Sequence, residues 1–125
     1  MADFAHLLKT QSYIDGLWSP AVSGKTFPVV NPATGAELAQ VADSGAADAE
    51  RAVLAAHKAF QTWAKETAQA RSVKLRRWAQ LIADNLESLA LLLTTEQGKP
   101  LVEARAEVKS GIDAIEWAAD QARRA

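Results

Sequence analysis

The sequence predicts a short antiparallel β meander followed by about four helices, and two observations carry that reading. Turn chemistry crowds the first third of the chain, where Asp15-Gly16, Ser19-Pro20, Ser23-Gly24 and Asn31-Pro32-Ala33-Thr34-Gly35 punctuate short apolar runs. From Ser44 onward, apolar residues recur at spacings of three and four, broken only at a few stop signals.

Among the first ten residues, Phe4, Leu7 and Leu8 would share one side of a short amphipathic helix. Tyr13-Ile14-Asp15-Gly16-Leu17-Trp18 reads as a strand entering a tight turn at Asp15-Gly16, a strong hairpin signal. Residues 26–30 make a second strand, in which Pro28 has no N–H and is therefore confined to an edge or a bulge. Residues 31–35 form a turn by composition, and residues 37–41 a third strand with alternating apolar side chains. Such a meander is marginal in isolation.

Ser44 is the expected N-cap of the first long helix, with Asp48 and Glu50 near its positive end. Its apolar stripe, Ala49, Ala52, Val53, Ala56, Phe60 and Trp63, is mostly alanine and suits close packing. A second helix over residues 68–83 is expected to bury Leu75, Trp78, Leu81 and Ile82. Asp84 and Glu87 have the spacing of a capping box, and the helix they would start carries Leu86, Leu89, Leu92 and Leu93. The fourth helix, over residues 100–123, aligns Leu101, Ala104, Val108, Ile112, Ile115, Ala119 and Ala122. Gly111 inside it costs roughly 1 kcal/mol relative to alanine, which points to a close contact there.

Thr94-Thr95-Glu96-Gln97-Gly98-Lys99-Pro100 joins the last two helices. Gly98 can adopt the left-handed conformation that closes a helix, and Lys99 places positive charge near its partly negative carbonyl end. Pro100 cannot extend that helix but suits the first turn of the next.

A chain of 125 residues with 49% hydrophobic composition is long enough for one domain with a sizeable core. A net charge of -1 gives no electrostatic reason to expect nucleic acid or an anionic membrane as partner. The absence of cysteine removes disulfides, thiolate metal sites and thiol nucleophiles from this chain. No apolar run approaches the roughly 20 residues of a membrane span. Asp3, His6 and Lys9 interrupt Phe4, Leu7 and Leu8, unlike a signal peptide. A cytoplasmic location is therefore expected.

Motifs for chemistry are sparse. Gly24-Lys25-Thr26 mimics the end of a phosphate-binding loop, but Ser19 stands where the motif requires its first glycine. No G-x-G-x-x-G and no G-x-S-x-G occurs. His6 and His57 lack a second histidine nearby, and His57 beside Lys58 reads as a solvated surface residue. Arg71, Lys74, Arg76 and Arg77 form a basic cluster, but Leu75 and Trp78 interleave at core spacing, which fits a solvated helix face bearing ion pairs. Glu103 and Glu107 lie on one helix face with Arg105 and Lys109 nearby, which reads as a charged outer surface.

The strands have no further sheet to join after Val41, and Trp18, Trp63, Trp78 and Trp117 could each bury about 150–250 Å². A four-helix bundle could absorb those rings; an incomplete domain would leave them open.

The string Val30-Asn31-Pro32-Ala33-Thr34-Gly35, the helix over residues 46–63, the segment 71–85 and Glu96-Gln97-Gly98-Lys99-Pro100 occur in this order. Together they resemble the N-terminal part of the NAD(P)-dependent aldehyde dehydrogenases, from Tyr13 to about Arg124. Residues 96–104 and Ile115-Glu116-Trp117 are most similar to the succinate-semialdehyde dehydrogenase group. The resemblance implies an α/β, aldehyde dehydrogenase-like fold that is incomplete here. Residues 1–125 would be the N-terminal part of the cofactor-binding domain, a fragment without the sheet core, catalytic part and oligomerisation part. The strands over 13–18, 26–30 and 37–41 would flank that domain as one small sheet, and the helices would surround the missing core. The helix after Pro100 would approach the substrate entrance.

In the family, a cysteine thiolate attacks an aldehyde, hydride passes to NAD or NADP, and a glutamate activates water to release the carboxylic acid. The resemblance thus implies an oxidoreductase acting on succinate semialdehyde. That cysteine and glutamate lie beyond residue 125 in the family, as do the main cofactor contacts. The chain alone is therefore expected to be inactive and not to bind the nucleotide, and it receives no catalytic or cofactor-binding residue. The implied partners are the remainder of the parent enzyme and, at full length, further copies in a homo-oligomer, with neither nucleic acid nor membrane. A monovalent cation held by the Val30 carbonyl and Glu96 is a further implication; the alternative is a turn carbonyl and a surface glutamate. The competing function is a non-enzymatic helical interaction module derived from such an enzyme. In either case the isolated chain is expected to expose apolar patches and to aggregate readily.

Overall fold

The computed structural model describes residues 4–124, which divide into two compact units. Residues 8–65 form one; the residues up to Leu7, with those from Glu66 onward, form the other.

In the first of these units, β1 (Ser12–Ile14) and β2 (Leu17–Ser19) are the arms of an antiparallel hairpin with Tyr13 opposite Trp18. Asp15 and Gly16 have φ of 51° and 81°, the pair of positive values that lets a two-residue turn follow the strand twist. Residues 13–18 are thus two strands and a turn rather than one strand, because this turn reverses the chain after Ile14. The Tyr13 and Trp18 rings pack with centroids 5.1 Å apart, and Lys9 Nζ lies 5.9 Å from the Trp18 centroid.

A second hairpin pairs β3 (Thr26–Val30) with β4 (Glu37–Ala42), with a register shift between Val29 and Val30. Pro28 is tolerated because β3 has a paired neighbour on one side only. The expected single meander is therefore two separate two-stranded sheets, each closed by its own turn.

Helix α1 (Ala46–Trp63) packs on β1. Its N-cap is Gly45, not Ser44, whose hydroxyl instead bonds the Ser12 hydroxyl at 2.8 Å. Capping is reciprocated from inside the helix: Asp48 Oδ2 accepts from the Gly45 N–H at 3.1 Å. Only part of the expected stripe lies on the packed side, where Ala52 is half-buried, since Ala49, Val53, Phe60 and Trp63 are exposed. Ala52, Ala55, Ala56 and Ala59 instead face the Tyr13–Gly16 turn across a shallow groove. Side chains that end at Cβ let the helix approach the hairpin, and the bulky residues fall outside that strip.

The other unit contains α2 (Ala68–Asp84), α3 (Leu86–Gln97) and α4 (Leu101–Gln121), with α4 packed on both neighbours. Ala79, Ala90, Ala104 and Ala119 are fully buried, together with Ser72. Leu101, Val108, Ile112 and Ile115 are half-buried, so the apolar side of α4 is the one its spacing indicates. On α2 the inward stripe is Ser72, Leu75, Ala79 and Ile82; Trp78 and Leu81 sit beside it and are exposed. Thr67 caps α2 by accepting from the Ala70 N–H at 3.1 Å.

The Asp84/Glu87 capping box does not form. Asp84 is the last residue of α2 and accepts from Gln80 Nε2 at 2.8 Å, so it lacks the extended backbone of an N-cap. Asn85 precedes α3 without a side-chain cap. Near the start of the chain, Leu7 N–H bonds the Phe4 carbonyl at 2.8 Å in a turn rather than a helix, as one isolated turn of helix is poorly stabilised. The rest of that expected helix, residues 1–3, lies outside the described residues. No described helix is long and apolar enough to cross a membrane.

Gly98 closes α3 with φ 80° and donates its N–H to the Thr94 carbonyl at 2.8 Å, while Pro100 is the N-cap of α4. A side chain at a left-handed position costs roughly 1–2 kcal/mol. Gly98→Ala should therefore destabilise the α3–α4 junction by about 1 kcal/mol, and Gly98→Asn by less. Denaturant unfolding and amide exchange over residues 94–98 check this, and equal stability of Gly98→Ala and wild type would contradict it.

Candidate functional site

The two residues proposed for an ion occupy different units. Val30 ends β3 opposite Glu37, just after the register shift, and leads into a turn that Asn31 organises. There Asn31 Oδ1 accepts from the Ala33 N–H at 2.9 Å, and its carbonyl accepts from the Gly35 N–H at 2.7 Å. Glu96 is exposed in the last turn of α3. A backbone carbonyl and a carboxylate are oxygen donors of the kind a monovalent cation takes. Neither unit by itself, however, brings the two together. Among the described residues no group of three or more His, Cys, Asp or Glu is gathered to hold a metal.

Among the described residues the most buried carboxylate is Asp48, 3% exposed. It accepts from the Val22 N–H at 3.0 and 3.3 Å and from the Gly45 N–H at 3.1 Å, while Arg51 Nη1 stands 3.6 Å away. Burial of a carboxylate is unfavourable unless such donors satisfy it. The side chain therefore fastens the segment at Val22 to the first turn of α1. It also occupies the end of α1 where a phosphate would otherwise find free N–H groups.

The basic cluster on α2 is engaged with neighbours. Arg71 Nη1 donates to the Glu66 carbonyl at 3.1 Å, Lys74 Nζ pairs with Glu66 Oε1 at 2.8 Å, and Arg76 pairs with Asp120. On α4, Glu107 pairs with Lys99, whose charge thus goes to the next helix rather than to the carbonyl end of α3. His6 Nε2 lies 3.2 Å from Asn85 Oδ1, and His57 is exposed.

Arg105 grips Glu87 with Nε at 3.0 Å from both carboxylate oxygens and Nη2 at 2.9 Å from Oε2, joining α4 to the first turn of α3. The guanidinium's hydrogen bonds hold the Glu87 carboxyl below the usual carboxylate range, outweighing partial desolvation, and the same pair raises Arg105. The roles of Asp48 and Arg105 escape motif searching. Only the position of Asp48, three residues after Gly45, signals a capping carboxylate.

Each unit also presents a groove. One, of about 490 Å³, lies between the first hairpin and α1, with Leu17, Trp18 and Leu54 as walls and Arg51 and Lys58 beside them. The other, of about 380 Å³, is lined by Ile82, Leu89, Leu92, Leu93, Val108 and Gly111, with Glu96 alongside.

With two capped hairpins, an α1 clamped by Asp48 and three helices packed through alanine, the architecture can be compared with that of known proteins. Residues 18–125 match the aldehyde dehydrogenase family, and the chain belongs to that family. It is 56% identical over 118 residues to 3-sulfolactaldehyde dehydrogenase of Pseudomonas putida, which covers 94% of this chain and 24% of that protein. The crystal structure of succinate-semialdehyde dehydrogenase from Burkholderia pseudomallei matches with TM-score 0.93 and 47% identity, over 96% of this chain and 25% of that one. A betaine aldehyde dehydrogenase from Staphylococcus aureus, solved in complex with NAD+, matches with TM-score 0.89 and 33% identity over 94% and 24%. The fold is thus aldehyde dehydrogenase-like, and the chain corresponds to the N-terminal portion of such enzymes. It spans about a quarter of the length of the curated relatives it matches.

Because Glu87 is depressed in the folded state, its pairing with Arg105 stabilises above the ordinary carboxylate pKa and is lost as pH falls through the depressed value. Arg105→Met should therefore lower stability at pH 7, with the gap to wild type constant down to about pH 5 and closing in more acid solution. Urea melts from pH 7 to pH 3 test this; a gap that does not change with pH would contradict it.

Proposed function

We propose that this chain serves as the N-terminal part of the cofactor-binding domain of an NAD(P)-dependent aldehyde dehydrogenase that converts an aldehyde to a carboxylic acid. The observation that carries the reading is the family match over residues 18–125, joined to 56% identity with one aldehyde dehydrogenase. The relatives at 56% and 47% identity are named for 3-sulfolactaldehyde and succinate semialdehyde, short aldehydes with a distal anionic group; the one at 33% is named for cationic betaine aldehyde. That ordering favours an anionic aldehyde, with succinate semialdehyde the substrate to try first. NAD or NADP would supply the hydride acceptor.

This chain's own residues supply support rather than chemistry. Asp48 fixes the start of α1, Arg105 ties α4 to α3, and Gly98 sets the corner between those helices. A chain with no cysteine has no thiolate to attack an aldehyde, so the nucleophile must come from elsewhere in the enzyme. In the full enzyme we place this part in a cytoplasmic homo-oligomer, without nucleic-acid or membrane partners. The alternative, a non-enzymatic interaction module, is favoured by one observation: Trp18, Trp63, Trp78 and Trp117 are all exposed.

The pure 125-residue chain, assayed with NAD+ or NADP+ and succinate semialdehyde, should show no turnover, and turnover would overturn the supporting role. Substituted for the matching quarter of the Burkholderia pseudomallei enzyme, the chain should give a chimera that oxidises succinate semialdehyde. A soluble but inactive chimera would favour the interaction module.

For the ion, we propose a monovalent cation bound through the Val30 carbonyl and the Glu96 carboxylate, on the strength of their oxygen chemistry. Exchanging potassium or sodium for tetramethylammonium should lower the melting temperature of that chimera, and Glu96→Gln should abolish the difference. A melting temperature indifferent to the exchange would remove the site.

A further inference from the structure

We propose that the groove between the first hairpin and α1 binds a small amphipathic monoanion, a carboxylate carried on a short aromatic or aliphatic body. The proposal stands on the geometry of residues 8–65 alone and does not rest on the activity proposed above.

The apolar half of the site is in place. Leu17 and Trp18 of β2 form one wall and Leu54 of α1 the other. All three are exposed, so an apolar body laid between them removes hydrocarbon from water on both sides. The Trp18 ring is held by Tyr13, with centroids 5.1 Å apart, and by Lys9 Nζ at 5.9 Å. The groove's volume of about 490 Å³ lies within the roughly 300–1,000 Å³ of small-ligand sites.

The polar half selects the charge. Arg51, Leu54, Ala55 and Lys58 follow one face of α1, so a cation stands at each end of an apolar strip. Asp15 is the single lining anion and leaves the groove with a surplus of positive charge that one carboxylate neutralises. Arg51 keeps donors for a ligand: Asp48 lies 3.6 Å from its Nη1, and the Asp48 oxygens are already served by the Val22 and Gly45 N–H groups. Among the described residues no carboxylate pairs with Lys58. Ser19 adds a third polar group, since it lines the groove and its buried hydroxyl has no hydrogen-bond partner among the described residues. Such an orphaned hydroxyl is uncommon in folded proteins, and a carboxylate oxygen supplies the acceptor it lacks. A phosphate is the poorer match, because the walls are hydrocarbon and Asp48 already occupies the start of α1.

Titration of phenylbutyrate into the isotope-labelled chain at neutral pH, followed through the amide resonances, tests the site. The shifts should saturate at about millimolar concentration or below and concentrate in residues 14–19 and 51–58. The neutral isostere phenylbutyramide should bind about threefold more weakly. Acetate, which lacks the apolar body, should give no saturating shift. Lys58→Glu should weaken binding of the acid by about fivefold and leave the amide unaffected, and Lys58→Arg should retain the affinity of the wild type. Leu54→Ser should weaken acid and amide alike.

Equal affinity for acid and amide would overturn the proposal, as would saturation mapped outside the groove or no saturation at all. Groove shifts that grow with protein concentration in the absence of ligand would assign the surface to a second copy of this chain and overturn it as well.

Discussion

Alanine sets how closely the elements of this chain approach one another, and most other features follow from that. Among the described residues the buried apolar side chains are those of Ala21, Ala79, Ala90, Ala104 and Ala119, and none is larger. Helix α4 touches α2 and α3 at positions where side chains end at Cβ, which brings the helix backbones near to each other. Each such methyl contributes only about 0.8 kcal/mol of burial. A buried tryptophan would contribute several times more, yet Trp78 is 55% and Trp117 66% exposed. Small residues therefore determine the geometry of the helical unit, and its largest apolar side chains lie outside the contacts they create.

The same constraint explains which parts of the fold were legible in the sequence. Asp15-Gly16 and Gly98 are readable because positive φ is a local demand that few residue types meet. The end of α1 at Trp63 and the inward side of α4 follow from the 3.6-residue period. The inward sides of α1 and α2 do not. Each inward side overlaps the expected stripe only in part: Ala52 of α1 and Leu75 and Ile82 of α2 are half-buried as expected, while Phe60 and Trp78 lie off the packed side, where Ala55, Ser72 and Ala79 fall instead. Sequence patterns carry the amount of apolar surface but not the distance at which it must pack.

Polar details were hidden for a related reason. Ser44 has the better capping side chain, but the N-cap position depends on where the backbone leaves its extended path, and that falls at Gly45. Asp84 and Glu87 have capping spacing, but α2 runs through Asp84 and Arg105 engages Glu87 from a helix 18 residues further on. The Val30–Glu96 pairing came from resemblance alone, and the division of the chain puts the two residues in different units. Long-range partners such as Val22 for Asp48 have no signature in a single sequence, because nothing local couples the two positions.

Ion pairs add a second set of ties between the helices. Arg105 pairs with Glu87 and Arg76 with Asp120 between helices, Lys99 pairs with Glu107 from the corner before α4, and Glu66 pairs with Lys74 from the segment before α2. Such exposed pairs add little net stability, and both grooves keep charged lining residues: Glu96 in one, and Asp15, Arg51 and Lys58 in the other. Large apolar side chains left open on such a surface, Trp78 and Trp117 among them, are characteristic of a protein contact. The sequence brings no thiol to this chain and its large apolar side chains face outward, so its own residues build grooves and helix contacts rather than a thiolate site.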